Sequence, residues 1–171
     1  PERAETIHHS YDHLMCLFDF EPALFPHLDA KFTGHPAIDR MTATRQTDPL
    51  LYGLAPGSRK HETQRMWPIF LRAAETIRSQ KPGARFVVVS PVDDLLIPDG
   101  YVRGEDSTAF ANCTAVLTKS GTITLELALL GIPQVVAHRV HPLTAWLSRR
   151  MIQGIDHIAM PNVLAGHQVI P

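Results

Sequence analysis

Short apolar runs alternate with longer amphipathic stretches along this chain, and this alternation restricts its fold more than any other feature. Four runs have the length and composition of buried strands, and segments long enough for helices or loops separate them. The runs are PLLYGLA (49–55), RFVVVS (85–90), TAVLTK (114–119) and IPQVVAH (132–138). Alternating strands and helices are typical of a parallel sheet with crossover helices. The sequence therefore predicts an α/β fold.

The helices between these strands are predicted from apolar spacing and from residues that end helices. After the first run, apolar residues recur at helical spacing until Pro82 and Gly83. These residues are Met66, Ile69, Phe70, Ala73 and Ile77. Further along we predict a short strand at 101–103, a helical turn at 106–113, a helix at 122–131 that Gly131 closes, and a last helix at 141–153.

The first 48 residues have shorter elements. We predict a strand at 13–20, a short helix at 21–28 with Pro22 in its first turn, and a strand at 30–36. Residues 37–48 are polar and lack periodicity, so we interpret them as a linker.

Composition excludes several classes of function. The chain has 171 residues, 44% of them apolar, which suffices for a globular core, and its formal charge of −1 argues against binding nucleic acid. Cys16 and Cys113 have no zinc or disulfide spacing, and the ten histidines are scattered, so we expect neither a metal nor a cofactor. No apolar run is long enough to span a bilayer and no signal peptide is visible, so we expect a cytoplasmic location.

Two strand-to-helix turns carry the chemistry. In turn 1 (residues 57–59), Gly57 and Ser58 allow a close backbone approach to an anion at a helix start, and Arg59 adds a forked donor. The spacing is not that of a Walker A motif. The structural alternative, favoured for this turn taken alone, is that Ser58 caps the helix with Glu62 as its partner.

Turn 2 (residues 120–122) repeats the pattern with Ser120, Gly121 and Thr122, and both turns are expected to face one cleft at the carboxyl edge of the sheet. Glu126 lies one helical turn beyond Thr122, where its carboxylate can reach a ribose diol. The alternatives are a helix cap and a solvent-facing Glu126, which its apolar neighbours make costly. Lys119 either adds positive charge near a bound phosphate or points to solvent, and solvent is the favoured alternative.

Several motifs follow one another along nearly the whole chain, namely LAPGSRKHE, KSGTITLE, VVAHRVHPLTAWLSRR and MPNVLAG, with DHLMCLFDFEPALF and FTGHPAIDRM upstream. Their resemblance, in the same order, is to the lipid-A-disaccharide synthase family of inverting GT-B glycosyltransferases. It implies a Rossmann-like C-terminal UDP-sugar-binding domain at 41–171, preceded at 1–40 by a remnant of the N-terminal acceptor domain. It also implies transfer of 2,3-diacylglucosamine from its UDP derivative to 2,3-diacylglucosamine 1-phosphate, which yields lipid A disaccharide 1-phosphate and UDP.

The resemblance assigns roles to particular residues. Turns 1 and 2 hold the UDP diphosphate, and Glu126 holds the ribose hydroxyls. The uracil is placed beside Tyr101 and Val102 by the general GT-B pattern. Arg139 and Asn162 match further motifs and are assigned to donor binding, against the alternatives of a surface ion pair and a loop-capping side chain. The developing charge on UDP is then stabilised by amide dipoles and arginine without a metal.

Departures from the family pattern lead to a further expectation. The acceptor site and the general base are expected in an N-terminal part that this sequence does not contain, and segments 41–49 and 92–100 look short for the family. Asp93 and Asp94 are interpreted as solvated loop residues. We expect the chain as given to bind UDP without turnover.

An acylated substrate implies contact with the inner-membrane surface. Leu143, Trp146, Leu147 and Met151 share one face of the predicted helix at 141–153, near Arg149 and Arg150. Such a stripe is typical of an interfacial helix and, more commonly, of core packing. A homo-oligomer is left open. Two other functions also remain open: a GT-B-fold UDP-sugar 2-epimerase, and a non-catalytic sugar-nucleotide binding module.

Overall fold

The computed structural model describes residues 6–7, 10–40, 45–138 and 159–171. It contains two compact units, Pro1–Thr42 and Ala43–Pro171. The assignment of these units to an acceptor and a donor domain stays a prediction. No helix in the described ranges is long and apolar enough to cross a membrane.

The first unit is built on two short parallel strands. β1 (His13–Cys16) pairs with β2 (Asp29–Phe32), and a 3-10 helix (Pro22–Leu24) lies between them in the chain. β1 ends four residues earlier than predicted because the backbone turns. The Glu21 carboxylate accepts hydrogen bonds from the amides of Leu17 and Phe18, at 2.8 and 2.9 Å, and this fixes the turn.

The start of the predicted linker is a short helix, α1 (Ala37–Arg40), so that part of the prediction was wrong. The Ala37 amide donates to His35 Nδ1 at 3.1 Å, and the Ala37 side chain is fully buried. Burial of one small apolar residue thus stabilises a turn that has no helical periodicity in its sequence.

The second unit contains the predicted parallel sheet. Its strands are β3 (Asp48–Ala55), β4 (Arg85–Val89), β5 (Tyr101–Gly104), β6 (Cys113–Lys119) and β7 (Gln134–Ala137), all parallel. Their order across the sheet is β5-β4-β3-β6-β7. The chain runs outward from β3 to β5 and then returns to the other side of β3, so the strand order reverses between β3 and β6. Open parallel sheets bind ligands at such a reversal.

Helices cover the sheet as predicted, with one addition. They are α2 (Lys60–Gln80), α3 (Ile123–Leu129) and α4 (Met160–Ala165), with a 3-10 helix at Ser107–Phe110. α2 ends before Pro82, as predicted, but α4 was missed because its six residues are too few to show a period.

The core lies between α2 and the sheet. The larger buried members of this cluster are Tyr52, Leu54, Met66, Trp67, Phe70, Phe86 and Val88. Burying one side chain such as the fully enclosed Phe70 contributes about 2–3 kcal/mol. Trp67 Nε1 donates to the Leu96 carbonyl at 2.9 Å, which ties the loop after β4 to this helix. The sheet and α2 therefore form a rigid support for the turns at the carboxyl edge.

Candidate functional site

A cleft of about 260 Å³ opens at the carboxyl edge of the sheet, where the strand order reverses. Six of the predicted site residues line this carboxyl-edge cleft, namely Gly57, Ser58, Ser120, Gly121, Thr122 and Glu126. Turns 1 and 2 therefore face one cleft, as their positions after β3 and β6 predicted. The adjacency of these two strands is what brings the turns together.

Turn 1 has a backbone that only glycine adopts readily. Gly57 has a φ of 123°, and a Cβ added there would lie 3.0 Å from Lys119 Cδ. Its carbonyl accepts a hydrogen bond from Ser90 Oγ at 3.0 Å, which anchors the turn to the end of β4. Ser90 was not predicted as part of the site, since its role depends on the neighbouring strand.

The capping alternative for Ser58 was wrong. Helix α2 begins at Lys60, its N-cap residue is Arg59, and no side chain caps it. The first amides of α2 therefore have no side-chain acceptor, and the preceding residues Gly57 and Ser58 line the cleft, which favours an anion there.

Arg59 is not brought into the cleft. Its side chain is 72% exposed, and Nη1 donates to Glu62 Oε1 at 3.2 Å, one helical turn away. The predicted direct fork between Arg59 and a ligand is thus not present in this arrangement.

Lys119 does not point to solvent, contrary to the prediction. Its side chain is only 14% exposed, lines the cleft, and places Nζ 2.9 Å from Glu62 Oε2. The ammonium group of Lys119, followed by the more distant Arg59, holds the pKa of Glu62 below its usual range. Glu62 was predicted only as a capping partner, so this ion pair between α2 and β6 was missed.

Turn 2 is held from two sides. Thr124 Oγ1 donates to the Gly121 carbonyl at 2.8 Å, and Ser120 Oγ is hydrogen-bonded to His138 Nδ1 at 2.9 Å. Burial lowers the pKa of His138, and the nearby Lys119 charge lowers it further. His138 directly follows β7. This position at the carboxyl edge of the sheet is the feature that could have identified His138 as a site residue from the sequence.

Glu126 lies in α3 and faces the cleft, half-buried. Its neighbours Leu125 and Leu127 are buried on the core side of the helix. The carboxylate therefore does not share their apolar environment, and the cost of burial that supported its role is smaller than predicted.

Tyr101 and Val102 lie away from the cleft. β5 runs parallel to β4 with Tyr101 opposite Phe86 and Gly104 opposite Val89, so Gly104 is the residue at the carboxyl edge. The Tyr101 ring stacks on Phe86 at 5.0 Å, and the Arg78 guanidinium lies 5.1 Å from its centroid. Val102 is 62% exposed on the edge strand. The structure does not bring these two residues together with the glycine turns.

Asn162 is buried and fully engaged within the protein. Its Oδ1 accepts from the amides of Val169 and Ile170, both at 2.9 Å, and its Nδ2 donates to the Ile170 carbonyl at 2.9 Å. The Pro171 carbonyl in turn accepts from the Val136 amide of β7 at 2.8 Å. Asn162 thus attaches the last residues to the domain, which corresponds to the loop-capping alternative.

Some predictions fall outside the described residues. Arg139 and the predicted helix at 141–153, with its apolar stripe, lie there.

Within the described ranges, no group of three histidine, cysteine or acidic side chains could hold a metal ion. Cys16 and Cys113 are both free and buried, and burial raises the pKa of Cys113 to about 12.

A parallel sheet with reversed strand order, and a cleft at that reversal formed by two glycine turns, defines a Rossmann-like α/β domain. The family model described as lipid-A-disaccharide synthetase matches residues 1–171. The chain belongs to this family.

Curated relatives agree with the family match. The chain is 33% identical to a lipid-A-disaccharide synthase of Geobacter sulfurreducens over 99% of its own length and 50% of that protein. It is 35% identical to the synthase of Gluconobacter oxydans, covering 94% of the chain and 45% of the relative. For Burkholderia pseudomallei the identity is 35%, over 99% of the chain and 50% of the relative. The chain spans about half the length of these relatives.

The match with the Geobacter sulfurreducens protein extends over 193 residues, more than the 171 of this chain. The relative therefore carries extra residues within the matched region. Whether they fall opposite segments 41–49 and 92–100 stays a prediction. These relatives are all named synthases, and nothing in their names favours the epimerase.

Proposed function

We propose that the carboxyl-edge cleft holds the nucleotide of a UDP-sugar donor. Turns 1 and 2 bind the diphosphate through backbone amides and the hydroxyls of Ser58, Ser120 and Thr122, and Glu126 accepts from the ribose hydroxyls. The observation that carries this proposal is the convergence of two glycine turns, each at a helix start, on one cleft with a carboxylate one helical turn beyond.

The electrostatics of the cleft favour a diphosphate. α2 and α3 each begin just after a turn that lines the cleft, and helix dipoles fixed in advance stabilise charge that develops on a leaving group. Because the amide groups at these helix starts belong to the chain and no metal ion is needed, the proposed binding of the diphosphate persists in the presence of a chelator.

The proposed reaction of the whole protein is transfer of 2,3-diacylglucosamine from UDP-2,3-diacylglucosamine to 2,3-diacylglucosamine 1-phosphate, with release of UDP. Family membership supports this reaction, and the matched relatives are named for the disaccharide product. No cleft residue is assigned as the general base. Because both substrates are acylated, we propose that the protein works at the cytoplasmic surface of the inner membrane, which co-sedimentation with anionic phospholipid vesicles tests.

Nucleotide binding is tested by calorimetric titration of the chain with UDP in buffer that contains EDTA. Saturable binding is expected, with uridine binding more weakly because it lacks the diphosphate. Glu105→Gln, which removes an exposed charge outside the cleft, serves as a control and should bind UDP like the unmodified chain. A folded chain that binds neither UDP nor UDP-N-acetylglucosamine would overturn the proposal.

The transfer reaction is tested separately by mass spectrometry of the disaccharide product. The chain is assayed alone and mixed with the N-terminal half of the Geobacter sulfurreducens synthase. Product in either assay supports the proposed reaction. No product in both, with UDP binding intact, would reject the reaction and leave nucleotide binding standing.

A further inference from the structure

We propose that Lys119 is a diphosphate-binding residue that Glu62 positions, and that it makes the cleft selective for a diphosphate over a monophosphate or a bare nucleoside. This inference rests on the proposed function, because it names a specificity residue of the same site. It assigns a role to an ion pair that joins the two turns and that the predicted site did not include.

The position of Lys119 is the first observation. It is the last residue of β6 and directly precedes turn 2, and its side chain lines the cleft. The aliphatic part of that side chain crosses turn 1, where a Cβ on residue 57 would lie 3.0 Å from Cδ. The lysine thus touches both turns, which are 63 residues apart in the sequence.

Burial is the second observation. A lysine side chain only 14% exposed is unusual, because lysine is normally solvated unless its charge is paired. Glu62 supplies that pairing at 2.9 Å, and the Ser120 carbonyl lies 3.4 Å from Nζ. An ammonium group has three N–H donors, so these two contacts leave one donor for the cleft that the residue lines.

The balance of charge is the third observation. Glu62 is shared between Lys119 and Arg59, at 2.9 and 3.2 Å. Two cations around one carboxylate leave one positive charge in excess beside turn 1. A phosphate group that reaches this point meets a cation whose own counter-ion is already shared, which favours a charge-assisted hydrogen bond.

The role of Glu62 follows from this geometry. Its carboxylate holds the long lysine side chain across Gly57, so less rotamer freedom is lost when an anion binds. Glu62 therefore acts through Lys119 as a positioning residue. The proposed origin of the selectivity is that one phosphate of a diphosphate lies at each turn, with Lys119 between them.

The experiment measures the affinities of each protein for UDP, UMP and uridine near 0.15 M salt. The variants are Lys119→Met, Lys119→Arg, Glu62→Gln and the double variant that combines Lys119→Met with Glu62→Gln. Lys60→Met is the matched control, because it removes the same charge from the first turn of α2, where Lys60 is 62% exposed and pairs with Asp94. Lys119→Met should weaken UDP binding roughly tenfold to a hundredfold and change uridine binding less than about twofold. Lys119→Arg should recover most of the UDP affinity.

Glu62→Gln should reduce the ratio of UDP to UMP affinity by less than Lys119→Met does. The double variant should be no weaker than Lys119→Met alone, because Glu62 acts through the lysine. Lys60→Met should bind UDP like the unmodified chain. Circular dichroism checks folding, and if Lys119→Met does not fold, the comparison of Lys119→Arg with Glu62→Gln carries the test.

The outcomes separate this inference from the proposed function. If the unmodified chain does not bind UDP, the proposed function fails and the inference with it. If UDP binds but Lys119→Met retains both its affinity and its diphosphate preference, the inference alone is rejected. Equal losses of affinity for UDP and uridine would also reject the inference, because they would show that the ion pair only holds the two turns together.

Discussion

Lys119 at the end of β6 and Glu62 in the first turn of α2 form an ion pair of 2.9 Å that joins the two glycine turns of the carboxyl-edge cleft. These two residues are far apart in the sequence, so no local pattern predicts that they pair. The pair exists because β3 and β6 are neighbours in the sheet, so the helix that follows β3 starts beside the last residue of β6. Its consequences for stability, pH response and binding can be measured.

Removal of Lys119 should lower stability in a pH-dependent manner. Lys119→Met is expected to reduce the free energy of unfolding by about 1 kcal/mol at pH 7, because Glu62 loses its nearer cation. The pKa of Glu62 is lowered from its ordinary 4.5, so the stabilisation is present above that pH and disappears as pH falls through the lowered pKa. Urea unfolding at pH 7, 5 and 3 measures the difference.

The control for this experiment is Lys60→Met. Its ion pair with Asp94 is exposed on both sides, so it should alter stability much less at pH 7. A stability difference for Lys119→Met that persists unchanged at pH 3 would contradict the assignment to Glu62.

His138 should report the charge of Lys119 directly. Its pKa is held below 6.5 by burial and by the Lys119 charge, and the Glu62 charge opposes this shift. Lys119→Met should therefore raise the pKa of His138, and Glu62→Gln should lower it further. Proton NMR titration of the His138 ring measures both changes, with Lys60→Met expected to have no effect. A His138 pKa that is identical in all variants would disprove the coupling.

The lowered pKa of His138 also predicts how stability varies around neutral pH. The unfolded chain binds a proton here more readily than the folded chain, so stability should fall as pH drops from 6.5 through the lowered pKa. His138→Gln should remove this component. Unfolding measurements at pH 7.5 and pH 5.5 compare the two proteins, and an unchanged pH response in the variant would contradict the prediction.

Gly57→Ala should damage both stability and UDP binding. A φ of 123° strains any residue with a Cβ, at a cost of about 1–3 kcal/mol, and the added atom would push against Lys119. Gly100→Ala is the control, since its φ of 80° imposes strain while its Cβ would meet no atom within 4 Å. Both variants should unfold at lower urea concentration, and only Gly57→Ala should lose UDP affinity. Equal UDP affinity in the two variants would argue against turn 1 as a binding element.

Glu126→Gln tests the ribose assignment. A carboxylate that accepts from ribose hydroxyls prefers UDP to 2′-deoxy-UDP, and loss of its charge should reduce that preference roughly tenfold. Glu105→Gln should leave the preference unchanged. Competition titrations with the two nucleotides give the ratio directly, and an unaltered ratio in Glu126→Gln would remove this residue from the proposed site.

Asn162→Ala should affect stability and leave nucleotide affinity intact. The substitution removes the side-chain partner of the Val169 and Ile170 amides and of the Ile170 carbonyl, at a cost of about 2 kcal/mol. Asn162→Asp keeps the acceptor for both amides and should be destabilised less. Urea unfolding ranks the variants, and calorimetry on the folded proteins measures UDP affinity. A selective loss of UDP affinity in Asn162→Ala would restore its assignment to donor binding.

The local elements were predictable because their determinants are local. The apolar runs at 49–55 and 85–90 became β3 and β4, and the helix between them ended before Pro82 as predicted. The glycine turns were identified for the same reason, since a glycine between a strand and a helix is visible in a few residues. Short elements such as α1 and α4 were not predicted, because they depend on burial of one or two side chains.

The main failures concern the partner that each side chain meets in the folded domain. Tyr101 was placed at the cleft, but its register opposite Phe86 puts it at the other end of β5. Lys119 was expected in solvent, and Glu62 was treated as a cap. Asn162 was assigned to a ligand, but its polar atoms hold the residues at 169–170. For Tyr101 and Lys119 the deciding partner lies on another element of the domain, and for Asn162 it lies seven and eight residues further along the chain.

The sequence by itself determined the α/β class, the position of the strands and the two glycine turns, because hydrophobic period and glycine placement act over a few residues. Only the tertiary structure decided that β6 lies beside β3, and with it that Lys119 reaches Glu62 and that His138 reaches Ser120. The order of parallel strands depends on packing between segments tens of residues apart, and no local pattern contains that information.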